Sequence, residues 1–291
     1  MEKINASMVI YNTDRSIVEN AVRSFRGSAF AGTLYIIDNA ATDIASSWFD
    51  APGIEYFHSP KNLGYGRAHN IALRQSIHKA PYHLVLNPDV YFDPNIVEQL
   101  YYFMEEHPDA GLVMPKVLYP DGSLQRLCKL LPSPLNLAAR RFLPFSDILF
   151  RQMNNRYEMR FSNYNRVMNV PFLSGCFMFI RTEALQSIGL FDERFFLYAE
   201  DADLSRRIHR QFKTLFYPYA EIYHIHARGS YKSTLHTFYN LRSAFQYFLK
   251  WGWFDAERRR LNEQAINQFT QDEPVYTIQL SKVSADTSTG K

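Results

Sequence analysis

Between Ala6 and Ile37 two apolar runs flank one amphipathic segment, and this pattern narrows the fold more than any other feature. Ala6 to Tyr11 (Ala-Ser-Met-Val-Ile-Tyr) reads as a strand. Ile17 to Phe25 places Ile17, Val18, Ala21, Val22 and Phe25 at helical spacing, with Asp14 or Ser16 available to cap it. Thr33 to Ile37 reads as a second strand. Two strands joined through a helix form a βαβ unit and require a parallel sheet. The first strand runs out into Asn12 and the second into Asp38-Asn39, so these polar residues share one sheet edge. In open α/β sheets that edge is where ligands bind.

The same edge gains a further acid downstream. Leu84 to Leu86 reads as a buried strand that stops at the turn Asn87-Pro88 and delivers Asp89. A carboxylate there is able to hold a divalent cation and, through it, a diphosphate; it serves a turn equally well as a plain acceptor. Ile54 to Phe57 is a short strand between these two. It is followed by Asn62-Leu63-Gly64-Tyr65-Gly66-Arg67-Ala68-His69-Asn70, whose residues suit a helix from Arg67 onward. The glycines allow unusual torsions or close approach of a ligand, and a helix amino end can meet a phosphate. No Gly-Lys-Ser/Thr follows, so this is not a P-loop.

Beyond this point the pattern continues as a helix over 95–107, a strand at Gly111 to Pro115 and a hairpin turn at Asp121-Gly122. Residues 128–168 form an insertion with Pro132, Pro134 and Pro144 and six arginines, among them Arg140-Arg141. It is either an irregular segment on the core or a membrane- or acceptor-facing patch. Val170 to Ile180 reads as a turn and buried strand, and a helix over 182–188 ends at Gly189. Glu200, Asp201 and Asp203 then crowd the start of another helix. Helix-dipole and capping effects favour acids there and account for Asp203, yet two adjacent carboxylates also suit a general base or a metal. A strand at Thr214 to Tyr217 leads to His224 and His226, which alternate on one face. A helix over 235–254 is rich in aromatics and precedes Arg258-Arg259-Arg260. The tail from Ser281 lacks any core-forming pattern and is expected to be disordered.

Composition excludes several classes. A net charge of +3 is too small to indicate nucleic acid. Two cysteines, Cys128 and Cys176, without metal-finger spacing argue against a disulfide framework and for a reducing, cytoplasmic setting. Met1-Glu2-Lys3-Ile4 lacks the apolar region of a secretory signal, and no run approaches the length of a membrane span.

Several motifs now stand in one order: Val9-Ile10-Tyr11-Asn12, Ile37-Asp38-Asn39, Asn62 to Asn70, Leu86-Asn87-Pro88-Asp89, and Phe196-Leu197-Tyr198-Ala199-Glu200-Asp201-Ala202-Asp203-Leu204. They are followed by His224 with Arg228 to Ser233, and by Lys250-Trp251-Gly252-Trp253. Over roughly residues 4–265 the sequence resembles the inverting family 2 glycosyltransferases of the GT-A fold, most of all the rhamnosyltransferase-like members that build bacterial polysaccharides. The resemblance implies a Rossmann-like, mostly parallel sheet flanked by helices over 1–235, with a helical extension over 236–270. It implies that Tyr11, Asn12, Asp38, Asn39, Asn62, Gly64, Tyr65, Arg67 and Asn87 line a nucleotide-sugar pocket. Asn87-Pro88-Asp89 replaces the family's Asp-x-Asp motif with one charge fewer. That leaves Asp89 as principal ligand of Mg²⁺ or Mn²⁺, with His224, or less favourably His226, completing the site. Asp201 would be the general base with Glu200 beside it, the two not being separable from sequence. The implied partners are a nucleoside diphosphate sugar, with dTDP-L-rhamnose as first candidate and other hexoses or N-acetylhexosamines open, and a lipid-linked glycan acceptor at the inner membrane face. A nucleotidyltransferase would want a glycine-rich basic loop where Asn12-Thr13-Asp14-Arg15 stands. A non-catalytic nucleotide- or glycan-binding scaffold is the remaining alternative.

Overall fold

The computed structural model describes residues 2–43, 45–136, 151–225 and 234–269. The first half follows the βαβ expectation. Strands β1 (Ile4–Ile10), β2 (Ala31–Asp38), β3 (Ile54–His58) and β4 (Tyr82–Leu86) pair in parallel in the order β3-β2-β1-β4. Helices α1 (Arg15–Arg26) and α2 (Tyr65–Ser76) make the crossovers. Leu84, Val85 and Leu86 are all fully buried, the unbroken apolar pattern of a strand covered on both faces. Asp14 precedes α1 as expected, but neither candidate side chain caps it. The Asp14 carbonyl instead receives the N–H groups of Ile17 and Val18. Helix α2 starts at Tyr65 rather than Arg67, because Gly64 takes the turn at φ +82°.

Past Asn87 the chain turns back at once. A two-residue strand β5 (Val90–Tyr91), not foreseen from the sequence, precedes α3 (Asn95–Glu106) and β6 (Ala110–Leu118). The insertion holds β7 (Cys128–Lys129), α4 (Arg151–Tyr157) and β8 (Met168–Asn169); Arg140-Arg141 lie outside the described residues. Its Tyr157, Met159 and Tyr164 are buried in the main core, so the described part packs on the body of the protein. Next come β9 (Phe172–Leu173), β10 (Phe177–Arg181), α5 (Thr182–Ile188), α6 (Glu200–His209) and β11 (Lys213–His224). β11 runs well beyond the expected Tyr217, with a register irregularity between Tyr217 and Glu221 that accommodates Pro218. The nine-stranded sheet reads β3-β2-β1-β4-β10-β6-β11-β5, with β8 also on β11; β10 runs antiparallel to both β4 and β6. The chain is thus α/β, with a parallel amino-terminal half and a mixed second half.

Helices α7 (Thr234–Trp251) and α8 (Ala256–Asn267) close the described chain. The expected single helix over 235–254 breaks at Gly252, where φ is +89°. Tyr247, Phe248 and Leu261 from these helices form a small second core with Leu131, Phe172, Phe195 and Ala202. Both cysteines are buried and free. Among the described residues no helix is long and apolar enough to cross a membrane.

Candidate active site

The carboxyl edge of the parallel half gathers one group of the expected residues. Asp38 ends β2, buried, with Oδ1 accepting from the Ala40 N–H at 2.8 Å and Oδ2 from the Tyr56 hydroxyl at 2.9 Å. Asn39 donates to the Gly64 carbonyl at 3.1 Å, and Asn62 Oδ1 accepts from the Gly64 N–H at 2.9 Å. The buried Asn39 Oδ1 has no partner, leaving an acceptor for a ligand N–H or O–H. Tyr11 and Asn12 are exposed just beyond β1, and Asn12 holds φ +49°. Arg67 leaves this group: it pairs with Glu193 at 3.4 Å on the surface.

The glycines beside α2 serve the chain itself. A Cβ on Gly64 would sit 2.2 Å from the Phe196 carbonyl oxygen, and one on Gly66 would meet Phe191. The Tyr65 N–H donates to that same Phe196 carbonyl at 2.9 Å, and Asn70 grips the Phe191 backbone through both its side-chain atoms. The close approach expected of a ligand is therefore made by the 191–196 loop, which leads into the acidic helix.

A second group forms where β4 ends. The antiparallel pairing of β5 with β11 sets Val90 opposite His224, and the Ile225 N–H donates to the Asp89 carbonyl. His224 Nε2 consequently lies 3.3 Å from Asp89 Oδ1. Asn87 is turned elsewhere: its Oδ1 lies 3.0 Å from the Tyr65 hydroxyl, which also donates to the Gly175 carbonyl at 2.6 Å. Asp89 and His224 thus offer one hard oxygen and one imidazole nitrogen. Among the described residues no cluster of three or more His, Cys, Asp or Glu side chains is assembled for a metal. The pair fits Mg²⁺ or Mn²⁺ in the way such ions are commonly held, by few protein ligands together with substrate phosphates.

The third group is the start of α6. Tyr198 and Ala199 both adopt left-handed torsions, at φ +71° and +67°, a conformation costly for side-chain-bearing residues. The turn is held by Ser243 donating to the Leu197 carbonyl, by Tyr198 against His236, and by the Asp203 N–H donating to the Ala199 carbonyl. It delivers Glu200 and Asp201 toward the sheet edge. Asp201 accepts from the backbone N–H groups of Gly175 at 3.0 Å and Ala202 at 2.8 Å. Burial raises its pKa, and the Lys129 charge and these N–H groups oppose the rise. Glu200 is buried deeper, its Oε2 without a partner; burial, then the Asp201 charge, push its carboxyl well above the usual range. Of the two, Glu200 is the one pushed further toward its protonated form. Burial, then the charges of Glu200, Cys176, Asp201 and Asp89, raise the Tyr65 hydroxyl, so these acids share one electrostatic neighbourhood.

Asp203 lies in the first turn of α6, as expected of a helix-end acid, and is also a buried ion-pair partner. It is fully buried, pairs with Lys250 at 2.6 Å and Arg207 at 2.8 Å, and accepts from Trp251 Nε1 at 2.8 Å. His226 and Arg228 to Ser233 lie outside the described residues. Sequence reading passed over Lys129, Gly175 and Gln125; only Gly175, at a turn before a buried strand, carried a local signal.

Relatives agree with this architecture. An N-acetylglucosaminyl-diphospho-decaprenol L-rhamnosyltransferase of Mycobacterium tuberculosis is 27% identical over 214 residues, 68% of this chain and 68% of the relative. The crystal structure of S. aureus TarS 1-349 shares the fold with a TM-score of 0.56 at 15% identity, over 93% of this chain and 72% of that one. A structure of GalNAc-T7 with UDP, GalNAc and Mn²⁺ gives a TM-score of 0.57 at 14% identity, over 76% of this chain and 43% of that one. Residues 7–189, from β1 through α5, match the family described as glycosyl transferase family 2, and the chain belongs to that family.

Proposed function

We propose that the protein transfers a sugar from a nucleoside diphosphate donor to a hydroxyl of a lipid-linked glycan, inverting the anomeric centre. L-rhamnose from dTDP-L-rhamnose is the first donor to test. The observation that carries this reading is that Tyr65, next to the Gly64 held by Asn39, reaches both Asn87, two residues before Asp89, and Gly175, whose N–H donates to Asp201. The rhamnosyltransferase relative supports the sugar and the acceptor class.

Asp38, Asn39 and Asn62 would hold the nucleoside, with Asn39 Oδ1 as its open acceptor. Asp89 and His224 would hold Mg²⁺ or Mn²⁺, which when bound supplies positive charge to the leaving diphosphate. Asp201 would take the proton of the acceptor hydroxyl as its oxygen bonds to the anomeric carbon and the bond to the diphosphate breaks. The raised pKa of Asp201 makes it a better base than an exposed aspartate, and the Gly175 and Ala202 N–H groups fix its direction. Glu200, whose burial favours its protonated form, would donate a hydrogen bond when it holds that proton.

The acceptor side also carries the surface suited to a membrane. Leu235, Phe238, Leu241, Phe245 and Leu249 expose one face of α7, followed by Trp253 and the wholly exposed Phe254. No carboxylate occurs from Thr234 to Phe254, while Arg242, Arg259 and Arg260 stand exposed on and after the helix. An apolar face with basic flanks suits an anionic lipid surface. Sedimentation with anionic liposomes tests this; absence of binding at low salt would remove it.

The direct test of function is a transfer assay over a panel of nucleoside diphosphate sugars and polyprenyl-diphosphate-linked acceptors, with and without Mg²⁺ or Mn²⁺. Metal-dependent transfer from dTDP-L-rhamnose is expected. Transfer from another sugar alone would correct the donor, and nucleotide binding without turnover in every arm would leave a scaffold instead.

A further inference from the structure

His224 is placed between two partners that compete for its ring hydrogen. On one side Nε2 faces Asp89 Oδ1 at 3.3 Å. On the other, Nδ1 lies 2.9 Å from Gln125 Oε1. Only one orientation of the Gln125 amide satisfies its surroundings. Its nitrogen faces the backbone carbonyls of His224 at 2.6 Å and Leu118 at 3.3 Å, and a carbonyl oxygen can only accept. Oε1 is therefore the atom turned to the ring, and it too can only accept. Nδ1 must carry the hydrogen, so a neutral ring turns the Nε2 lone pair toward a carboxylate. Two acceptors facing each other are complementary to a positive charge between them.

The backbone builds this contact deliberately. Gly122 turns at φ +81°, Leu118 bridges Leu124, and the Gln125 N–H donates to the Val117 carbonyl. This hairpin carries Gln125, 3% exposed, back over the end of β11. Without an acceptor at Nδ1, a neutral imidazole beside Asp89 gains most by placing its hydrogen on Nε2. That hydrogen would occupy the place a cation needs.

We propose that Gln125 is a positioning residue that locks His224 in the Nδ1–H tautomer, so that Nε2 and Asp89 receive a divalent cation together. The inference rests on the metal-dependent reading above and reaches a residue that reading does not use. Outer partners of this kind set ligand orientation and basicity, and their loss weakens metal binding about 10- to 100-fold.

Nitrogen-edited NMR of the metal-free protein at about pH 8 reads the tautomer without any metal, with His224→Asn identifying the signal. The expected wild-type ring is protonated at Nδ1 and bare at Nε2. Gln125→Glu, which keeps an acceptor toward Nδ1 but gives up the donor to the His224 and Leu118 carbonyls, should preserve that pattern where it folds, and Gln125→Met should move the hydrogen to Nε2. In parallel, Mn²⁺ binding with a nucleoside diphosphate, read by electron paramagnetic resonance, should weaken about 10- to 100-fold in Gln125→Met and stay within about threefold in Gln125→Glu. Nucleotide binding in chelator verifies that each variant is folded. A wild-type ring protonated at Nε2, or a folded Gln125→Met that binds Mn²⁺ as the wild type does, overturns the proposal. If Gln125→Met does not fold, the wild-type and Gln125→Glu spectra decide. Correct tautomers with no Mn²⁺ binding even in the wild type would uphold the lock and overturn the metal reading.

Discussion

The two sides of the proposed site, a donor floor and an acid side, are held by different physics. On the donor side, Asp38, Asn39 and Asn62 are fixed by short-range hydrogen bonds to Ala40, Tyr56 and Gly64. On the acid side, α6 is held by charges from far along the chain. Arg206 is buried with Asp255 at 2.6 Å, Glu257 at 2.8 Å and the Trp251 ring 3.9 Å from its guanidinium carbon. Asp203 is buried against Lys250 and Trp251. The donor floor is thus a property of the sheet edge, while the placement of Glu200 and Asp201 depends on α7 and α8. Damage to the first should weaken binding, and damage to the second should loosen the whole acidic turn.

The largest expected effect bears on chemistry alone. Asp201→Asn keeps the shape of the side chain and removes the base, so transfer should fall by about 10²- to 10⁴-fold while nucleotide affinity stays near normal. Steady-state kinetics beside calorimetric titration would show it; full activity in this variant would take Asp201 out of the role.

Next comes the clasp. Asp203→Ala removes the fully buried carboxylate from Lys250 and Arg207, which keep Asp192 and the 188–190 carbonyls respectively, so the cost should sit at the low end of a broken buried pair, about 3 kcal/mol. Denaturant unfolding should show that loss together with lower activity. An exposed-pair result of well under 1 kcal/mol would mean that α7 is not what holds α6. On the donor side, Asp38→Ala strands the Ala40 N–H, while the Tyr56 hydroxyl keeps Asp43 at 2.9 Å, at a cost of about 1–3 kcal/mol. Its main effect should be weaker nucleotide binding with the acid side intact, so equal losses of binding and turnover number would blur the comparison.

The smallest effect reads Glu200. Its folded pKa lies above its ordinary value of 4.5, so the folded state binds the proton more tightly than the unfolded chain. Its contribution to stability is therefore full below that value and is lost as pH rises. Glu200→Gln, which imitates the neutral acid, should melt closer to or above the wild type as pH goes from about 5 to about 8. Parallel melting curves would mean that Glu200 is already ionised there.

The same division explains what could be read from sequence. The βαβ pattern, Asp38, the Asn87-Pro88-Asp89 turn and the acids at 200 and 201 are local features, because apolar periodicity and turn residues announce them. Asp203 was legible as the helix-end acid it is, but its buried ion pair was not, since Lys250 and Trp251 arrive from a helix some 48 residues later. Gly64 and Gly66 announced unusual torsions or the close approach of a ligand, and the approach is made by the 191–196 loop, which becomes a neighbour only in the fold. Gln125 was silent: a glutamine after a turn has no pattern until β11 brings His224 against it.

Crystals soaked with Mn²⁺ and a nucleoside diphosphate, with data collected for the manganese anomalous signal, test the central claim most directly. The expected result is a single peak in bonding contact with Asp89 and His224 Nε2, with the diphosphate on it and the nucleoside over Asp38 and Asn39. A nucleotide seated elsewhere, or manganese bound away from both side chains, would contradict it.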